Sequence, residues 1–503
     1  MIPKEMTTLA EMRELIEEDC SPSAAQAFVE LVAVYFAQTA EREGRVSTSH
    51  TPAELAERFT EPMPRTSQPL DAVVRRFREE VLPDCNHLFH PRYVGHQVSA
   101  PLPAAVWSES LVAALNQSVA VFEMSPVGTV LEHQVVRWLC DVAGYGAGSG
   151  GTLTTGGTEA TFTAMLAART AVMPNAWTDG VSAAGGISSV PVMLCGEHTH
   201  YAVTRAAGEL GLGMRNVLTI PSRNRRMDPE ALRDALQALE HAGRSVVAVV
   251  ATAGSTATGS FDDLSAIGAM CDEAGVWLHV DGAHGASALL SPTHRHRVRG
   301  IERARSIAWD PHKMMLLPLQ AGMLLVRDER DLEGAFSQRA PYLFHGGDGE
   351  RVWDQGVRSF LCSRRADAFK LWIALQRYGA DGIGALYDGL CQITRFMYDA
   401  IVDSPEFEAL HEPECNILCF RYVGRRRQTS KASISSNDDA LDLLNRELRE
   451  RYNSSGEGWI TATNLDGRWV LRVTIMNPRT SKADITDVIA GLAKIGKDLE
   501  GGD

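Results

Sequence analysis

No Cys-x-x-Cys pair, no apolar run long enough to span a bilayer, no secretory leader pattern, no Walker phosphate loop and no internal repeat occurs in the sequence. Of its nine cysteines, Cys415 and Cys419 stand four apart inside an apolar, strand-like run, so zinc-ribbon and dithiol redox readings are excluded. His198-Thr-His200 has no neighbouring cysteine or carboxylate pair to complete a metal site, and no metal is expected. Without leader or span, the expectation is a reduced, cytoplasmic setting. Positive charge is also in short supply. Lys and Arg number 49 against 63 Asp and Glu, a net −14, which argues against nucleic acid and anionic membrane as partners. The basic clusters His294-Arg-His-Arg297 and Gly424-Arg-Arg-Arg427 read as solvated loops.

What is present is length and apolar content. At 503 residues and 45% hydrophobic composition, the chain can bury a large core and exceeds one simple domain. Residues 1–85 alternate helical patterns, such as Ala24 to Phe36, with polar turns and read as an arm without chemistry of its own. From 86 to 380, strand-like runs such as Val246 to Ala251 and Ala321 to Val326 alternate with helical segments, the α/β pattern. From 381 to 503, Cys415 to Tyr422 and Trp469 to Ile475 read as strands of a smaller domain, separated by a stretch whose first part, Arg425 to Asp439, is polar.

The chemistry concentrates in two segments about thirty residues apart, His279-Val-Asp-Gly-Ala-His284 and Asp310-Pro-His-Lys313. Pro311 biases its predecessor away from helix, so Lys313 is expected in a turn between strands, where a lysine can act as an imine-forming nucleophile. Asp281 closes the run Gly275 to Asp281, a buried strand whose last residue emerges at the sheet edge where α/β proteins keep ligands. A lysine and a strand-end acid in this order point to pyridoxal 5'-phosphate. Lys313 would carry it as an imine, Asp281 would keep its ring nitrogen protonated, and Ala283 would pack on a ring face. Taken alone, Lys313 is a surface lysine and Asp281 a helix cap; the ordered pair is what disfavours that reading.

A phosphate needs its own site, and Tyr145 to Ala160 supplies six glycines before the alanine-rich stretch from Thr158 to Arg169. A helix opening there aims free N–H groups at an anion, with Gly157 and Thr158 the expected contacts. Gly146 to Gly151 matches Gly-x-Gly-x-x-Gly literally, but no clear strand precedes it and the helix opens later, so that match is read as chance.

In this order, His90-Pro-Arg-Tyr93, Gly156-Gly-Thr-Glu-Ala160, His200-Tyr201, Ala251-Thr252, Val280-Asp-Gly-Ala-His284, Asp310-Pro-His-Lys313, Cys362-Ser-Arg-Arg365 and Leu471-Arg472 with Asn477-Pro478 resemble the group II pyridoxal-phosphate-dependent amino-acid decarboxylases, the family of glutamate, cysteine-sulfinate and aromatic amino-acid decarboxylases. The resemblance runs from about His90 to Pro478. It implies the aspartate-aminotransferase-like fold type I, with a large α/β cofactor domain and a small C-terminal α+β domain. It further implies that His200 stacks on the cofactor ring, that Thr252 lies near the phenolic oxygen, and that Ser306 and His312 add phosphate or imine contacts. A homodimer with a shared active site is implied, with Phe122 crossing between subunits; read alone, Phe122 is equally a core phenylalanine. Substrate contacts are expected from His96, Gln97, Phe122, Trp353 and Arg472, the last because a guanidinium fork binds a carboxylate in two places.

By the same resemblance, the activity is conversion of an L-amino acid to its amine and carbon dioxide, with acidic, diamino and small aliphatic substrates all open. One departure bears on the outcome. Family members carry a proton-donating tyrosine on a loop before the Ser-Arg-Arg element, where this chain has Trp353, whose indole N–H is too weak an acid for the task. Tyr342, His345 or His312 then become the alternative donors. Relatives without the tyrosine release an aldehyde after oxidation, so aldehyde formation stays open, as does another fold type I reaction such as transamination. A non-catalytic homologue is disfavoured by retention of Lys313, Asp281 and His200.

Overall fold

The computed structural model describes residues 8–181, 190–336, 353–424 and 438–501. Tyr342, His345, Arg351 and residues 425–437 lie outside that set. The strands, in chain order, are β1 (Gly150–Thr154), β2 (Val192–Gly196), β3 (Val217–Ile220), a two-stranded ribbon β4 (Ser222–Arg223) and β5 (Arg226–Met227), β6 (Val246–Thr252), β7 (Trp277–Asp281), β8 (Ser306–Trp309), β9 (Gly322–Val326), β10 (Phe407–Ala409), β11 (Ile417–Tyr422), β12 (Thr461–Leu465) and β13 (Arg468–Thr474).

Seven of them form one sheet in the order β1-β9-β8-β7-β6-β2-β3. The central pairs are parallel, and β9 runs antiparallel to both β1 and β8. The composition of β6, Val-Val-Ala-Val-Val-Ala-Thr, follows from this position: a central parallel strand is covered on both faces. Val247 and Val250 join one apolar cluster, while Val249 and Ala251 join the other. The helix Gly157–Val172 lies across β6 to β9, and its alanines at 160, 164, 167 and 168 let it approach closely. Buried on nearly every side, it has no amphipathic stripe.

The smaller sheet, β10-β11-β13-β12, is antiparallel throughout. Helices Asp438–Ser455 and Lys482–Glu500 pack against it, the latter opened by a Ser481–Asp484 capping box. The division expected between residues 380 and 381 is crossed by the chain. Val94 donates its N–H to Trp459 O at 3.0 Å and accepts from Thr474 N at 2.9 Å, while Ala100 N donates to Met476 O at 3.1 Å. Segment 92–100 thus pairs with the C-terminal strands, and Tyr93 stacks on Trp459. The long helix Ala368–Asp403 kinks at Gly379, whose φ of 68° an L side chain would resist. Among the described residues no single helix is long and apolar enough to cross a membrane.

Candidate active site

Parallel strands present their carboxyl ends along one edge, and the register decides which residues meet there. Thr252, last in β6, pairs with Asp281, last in β7, and Asp281 in turn pairs with Ala308 of β8. From β8 the chain passes through Asp310-Pro311 into a turn bearing Lys313, and from β2 it reaches His200. These ends and the first turn of Gly157–Val172 enclose a cavity of about 550 Å³.

Lys313 Nζ lies 3.2 Å from Asp310 Oδ2, and His312 Nε2 lies 3.4 Å from the same oxygen. His312 Nδ1 accepts the N–H of Ala321 at 3.0 Å, which leaves the ring proton on Nε2, toward Asp310. Burial lowers the pKa of His312 and of His200, keeping both rings neutral. The Ala202 N–H donates to His200 Nδ1 at 3.3 Å, so Nε2 carries that proton too. Asp281 is buried and accepts the N–H of Ala283 at 3.2 Å, which directs its carboxylate back along the cavity floor. His284 donates Nε2–H to Asn416 Oδ1 at 2.7 Å, tying the cavity wall to β11. Its Nδ1 is buried with no partner among the described residues, and burial pulls its pKa down to about 3.

Gly157, Thr158, His200, Thr252, Asp281, Ala283, His312 and Lys313 all line this cavity. Ser306 does not. It opens β8, opposite His279, and its Oγ is taken by Trp277 Nε1 at 2.8 Å and His279 Nδ1 at 2.9 Å. Three strand residues, about 10 Å, separate it from the end that faces the cavity, so the expected phosphate or imine contact is corrected to a structural role.

The expected substrate residues also lie outside the lining of this chain's own cavity. His96 packs against Trp459 with ring centroids 4.9 Å apart, and Gln97 Nε2 is buried without a hydrogen-bond partner among the described residues. Phe122 is half-buried and donates its N–H to Asp354 Oδ1 at 2.8 Å. Trp353 meets His133 edge-on at 4.9 Å, on the helix Pro126–Val142. Arg472, in β13, is 6% exposed; its Nε has no hydrogen-bond partner among the described residues. Burial lowers its pKa, and its positive charge in turn helps hold His96 and His284 neutral. Asp310 and His284 were within the quoted motifs but carried no assigned role. Position beside Lys313 was the available signal for Asp310; nothing local marked His284, whose partner lies 132 residues away.

The cavity's contents can be compared with known proteins. Residues 52–423 match the model of the pyridoxal-dependent decarboxylase conserved domain. The chain belongs to this family. It is 32% identical to cysteine sulfinic acid decarboxylase of Mus musculus over 438 residues, covering 84% of this chain and 87% of that protein. To the acidic amino acid decarboxylase GADL1 of Bos taurus it is 31% identical over 416 residues, 82% of this chain and 78% of the relative. The crystal structure of mouse CSAD in apo form superposes with a TM-score of 0.87 at 29% identity, covering 95% of this chain and all of that one. That of Oryza sativa TDC with PLP and tryptamine, at 23% identity and a TM-score of 0.85, shares the fold.

This decarboxylase therefore uses pyridoxal phosphate, and its residues fit the group. A Cβ on Gly157 would stand 2.8 Å from Ala283 Cβ, so only glycine leaves that wall open. The helix behind it has no side-chain cap, which leaves its first N–H groups for a phosphate. Asp281 offers a buried carboxylate for a ring nitrogen, His200 a neutral ring, and Lys313 a primary amine 22% exposed to the cavity. The cofactor supplies an electron sink for the bonding pair left when a carboxylate departs as carbon dioxide. The chain's own groups do the rest. Asp310 holds the Lys313 ammonium in place, His200 and His312 present N–H donors without adding charge, and buried walls exclude water.

Proposed function

We propose that this decarboxylase acts on a small acidic amino acid, with Arg472 anchoring a substrate carboxylate, and that it works as a homodimer. The observation that carries the substrate reading is a buried guanidinium with no counterion among the described residues. A buried cation without a counterion is costly unless an anion arrives to pair with it. His96 and His284, the histidines that feel its charge, are both neutral and so do not compete for that anion. The names of the mammalian relatives, cysteine sulfinic acid and acidic amino acid decarboxylase, support the same class.

Dimerisation is supported by apolar side chains left in water. Trp107, Leu111 and Leu115 on one helix and Val127 and Val130 on the next are exposed beside Met124. Phe122 sits at the head of that patch. Such a surface is unusual for a monomer and matches an obligate interface.

Product analysis on cysteine sulfinate, aspartate, glutamate, 2,4-diaminobutyrate and aromatic amino acids tests the assignment. Amine from an acidic member, with Arg472→Gln raising KM by roughly 10- to 100-fold for a lost charge-assisted pair, is the expected result. Turnover confined to diamino or aromatic substrates would sink it. Light scattering that returned a monomer mass would dispose of the dimer.

A further inference from the structure

The cofactor's phosphate end contains a carboxylate where an anion is to be bound. Asp310 is 2% exposed, and its two oxygens stand 3.2 and 3.6 Å from the place a Cβ on Gly157 would take, over the helix start that offers free N–H groups. Oδ2 serves Lys313 and His312, while Oδ1 is buried with no partner among the described residues. The lone acceptor, the farther of the two oxygens from Gly157, stands beside an anion site with no proton between them.

We propose that this decarboxylase binds the cofactor phosphate singly ionised, with the remaining P–OH donating its hydrogen to Asp310 Oδ1. On binding from neutral solution the phosphate takes one proton from a buffer acid, whose conjugate base stays in solution. The proton rests on phosphate because Asp310 acts as an acceptor, its Oδ2 taking Lys313 Nζ and His312 Nε2. Other charged groups do not remove the need for it. Lys313 is the only lysine or arginine lining the cavity among the described residues, and its amine is committed to the cofactor's aldehyde carbon. His312, on the same turn, and His200, across the cavity, are neutral. Glu159, on the first turn of the helix, adds a second negative group, with one oxygen already taken by Thr155 N and Oγ1 at 2.9 and 2.7 Å. Asp281, which also lines the cavity, is assigned to the cofactor's ring nitrogen and is paired there. Two carboxylates beside one doubly charged phosphate, with no free cation among the described residues that line the cavity, is an arrangement that burial penalises heavily.

Phosphorus NMR of the cofactor-loaded enzyme decides the matter without reference to turnover. Between about pH 6 and about pH 9, above the second ionisation of the free phosphate, the wild-type resonance is expected to stay at the singly ionised position. In Asp310→Asn it should move to the doubly ionised position, and calorimetry in buffers of different ionisation enthalpy should show one proton fewer taken up on binding. A doubly ionised wild-type resonance overturns the proposal, as does a variant spectrum and proton count identical to wild type. Should Asp310→Asn fail to fold, Asp310→Ser carries the same expectation, and the wild-type spectrum alone still refutes. Absence of any bound resonance in wild type would overturn the cofactor assignment itself, a separate outcome.

Discussion

Replacing Gly157 by alanine adds one methyl group at the most confined point of the site. Its Cβ would lie 2.8 Å from Ala283 Cβ and 3.2 Å from Asp310 Oδ2. Carbon atoms prefer about 3.5–4.0 Å, so the overlap with Ala283 is roughly 1 Å, and Ala283 has no rotamer with which to yield. The helix start or the loop after β7 must shift instead, and overpacking of this kind costs about 1–3 kcal/mol. Against that, loss of glycine's freedom in the unfolded chain returns about 0.4–1 kcal/mol. Folding thus loses a net of roughly 0–2.6 kcal/mol, while the displaced wall falls on the cofactor. The expectation is a Kd for pyridoxal phosphate raised by roughly 5- to 150-fold, at a tenfold change for each 1.4 kcal/mol, with the apoenzyme's melting temperature lowered by at most a few degrees. Absorbance or fluorescence titration of apoenzyme measures it. Gly146→Ala is the control, since a Cβ there meets nothing within 4 Å. If Gly157→Ala binds cofactor as tightly as wild type, or Gly146→Ala weakens it equally, the close-approach reasoning fails.

Two stability predictions stand apart from the cofactor. His279 and His284 are held neutral by burial, with pKa values of about 4 and about 3. Because these lie below the ordinary value of about 6.5, protonation favours the unfolded chain, so their contribution is complete above that value and drains away as pH falls toward 4. Each drains about 3 kcal/mol by that point, and denaturation midpoints taken stepwise from neutral to mildly acid pH should fall steeply; His279→Gln should flatten the slope, and an unchanged slope would count against the assignment. Glu132 and Arg364 form a buried bidentate pair at 2.6 and 2.8 Å, with Glu132 also accepting the N–H of Leu153. Arg364→Leu strands that carboxylate and should cost about 3–5 kcal/mol, whereas Glu132→Gln with Arg364→Met should recover most of it; equal losses in both would contradict a pairing role.

The cofactor machinery was legible because its signals are local. Asp310-Pro-His-Lys313 and the glycines before Thr158 place a turn, an amine and a helix start by short-range geometry alone, and the apolar run of β6 announces a strand covered on both faces. The same local view misplaced Ser306. Its hydroxyl is close in sequence to Lys313, but a strand carries successive residues along its axis, and this one stands at the far end, held by Trp277 and His279. Segment 92–100 was grouped with its sequence neighbours, yet its unpaired backbone groups found partners on strands more than 350 residues later.

The alternating α/β pattern, the strand-end residues and the ordered motifs of the family resemblance therefore determined the class of fold and the cofactor. Tertiary structure alone decided that Arg472 is a buried cation without a counterion among the described residues, that His284 reaches Asn416, and that Asp310 leaves an unpaired oxygen beside the helix start. The reason is physical: identity and local backbone preference are properties of neighbouring residues, whereas burial and pairing depend on which distant surfaces exclude water together.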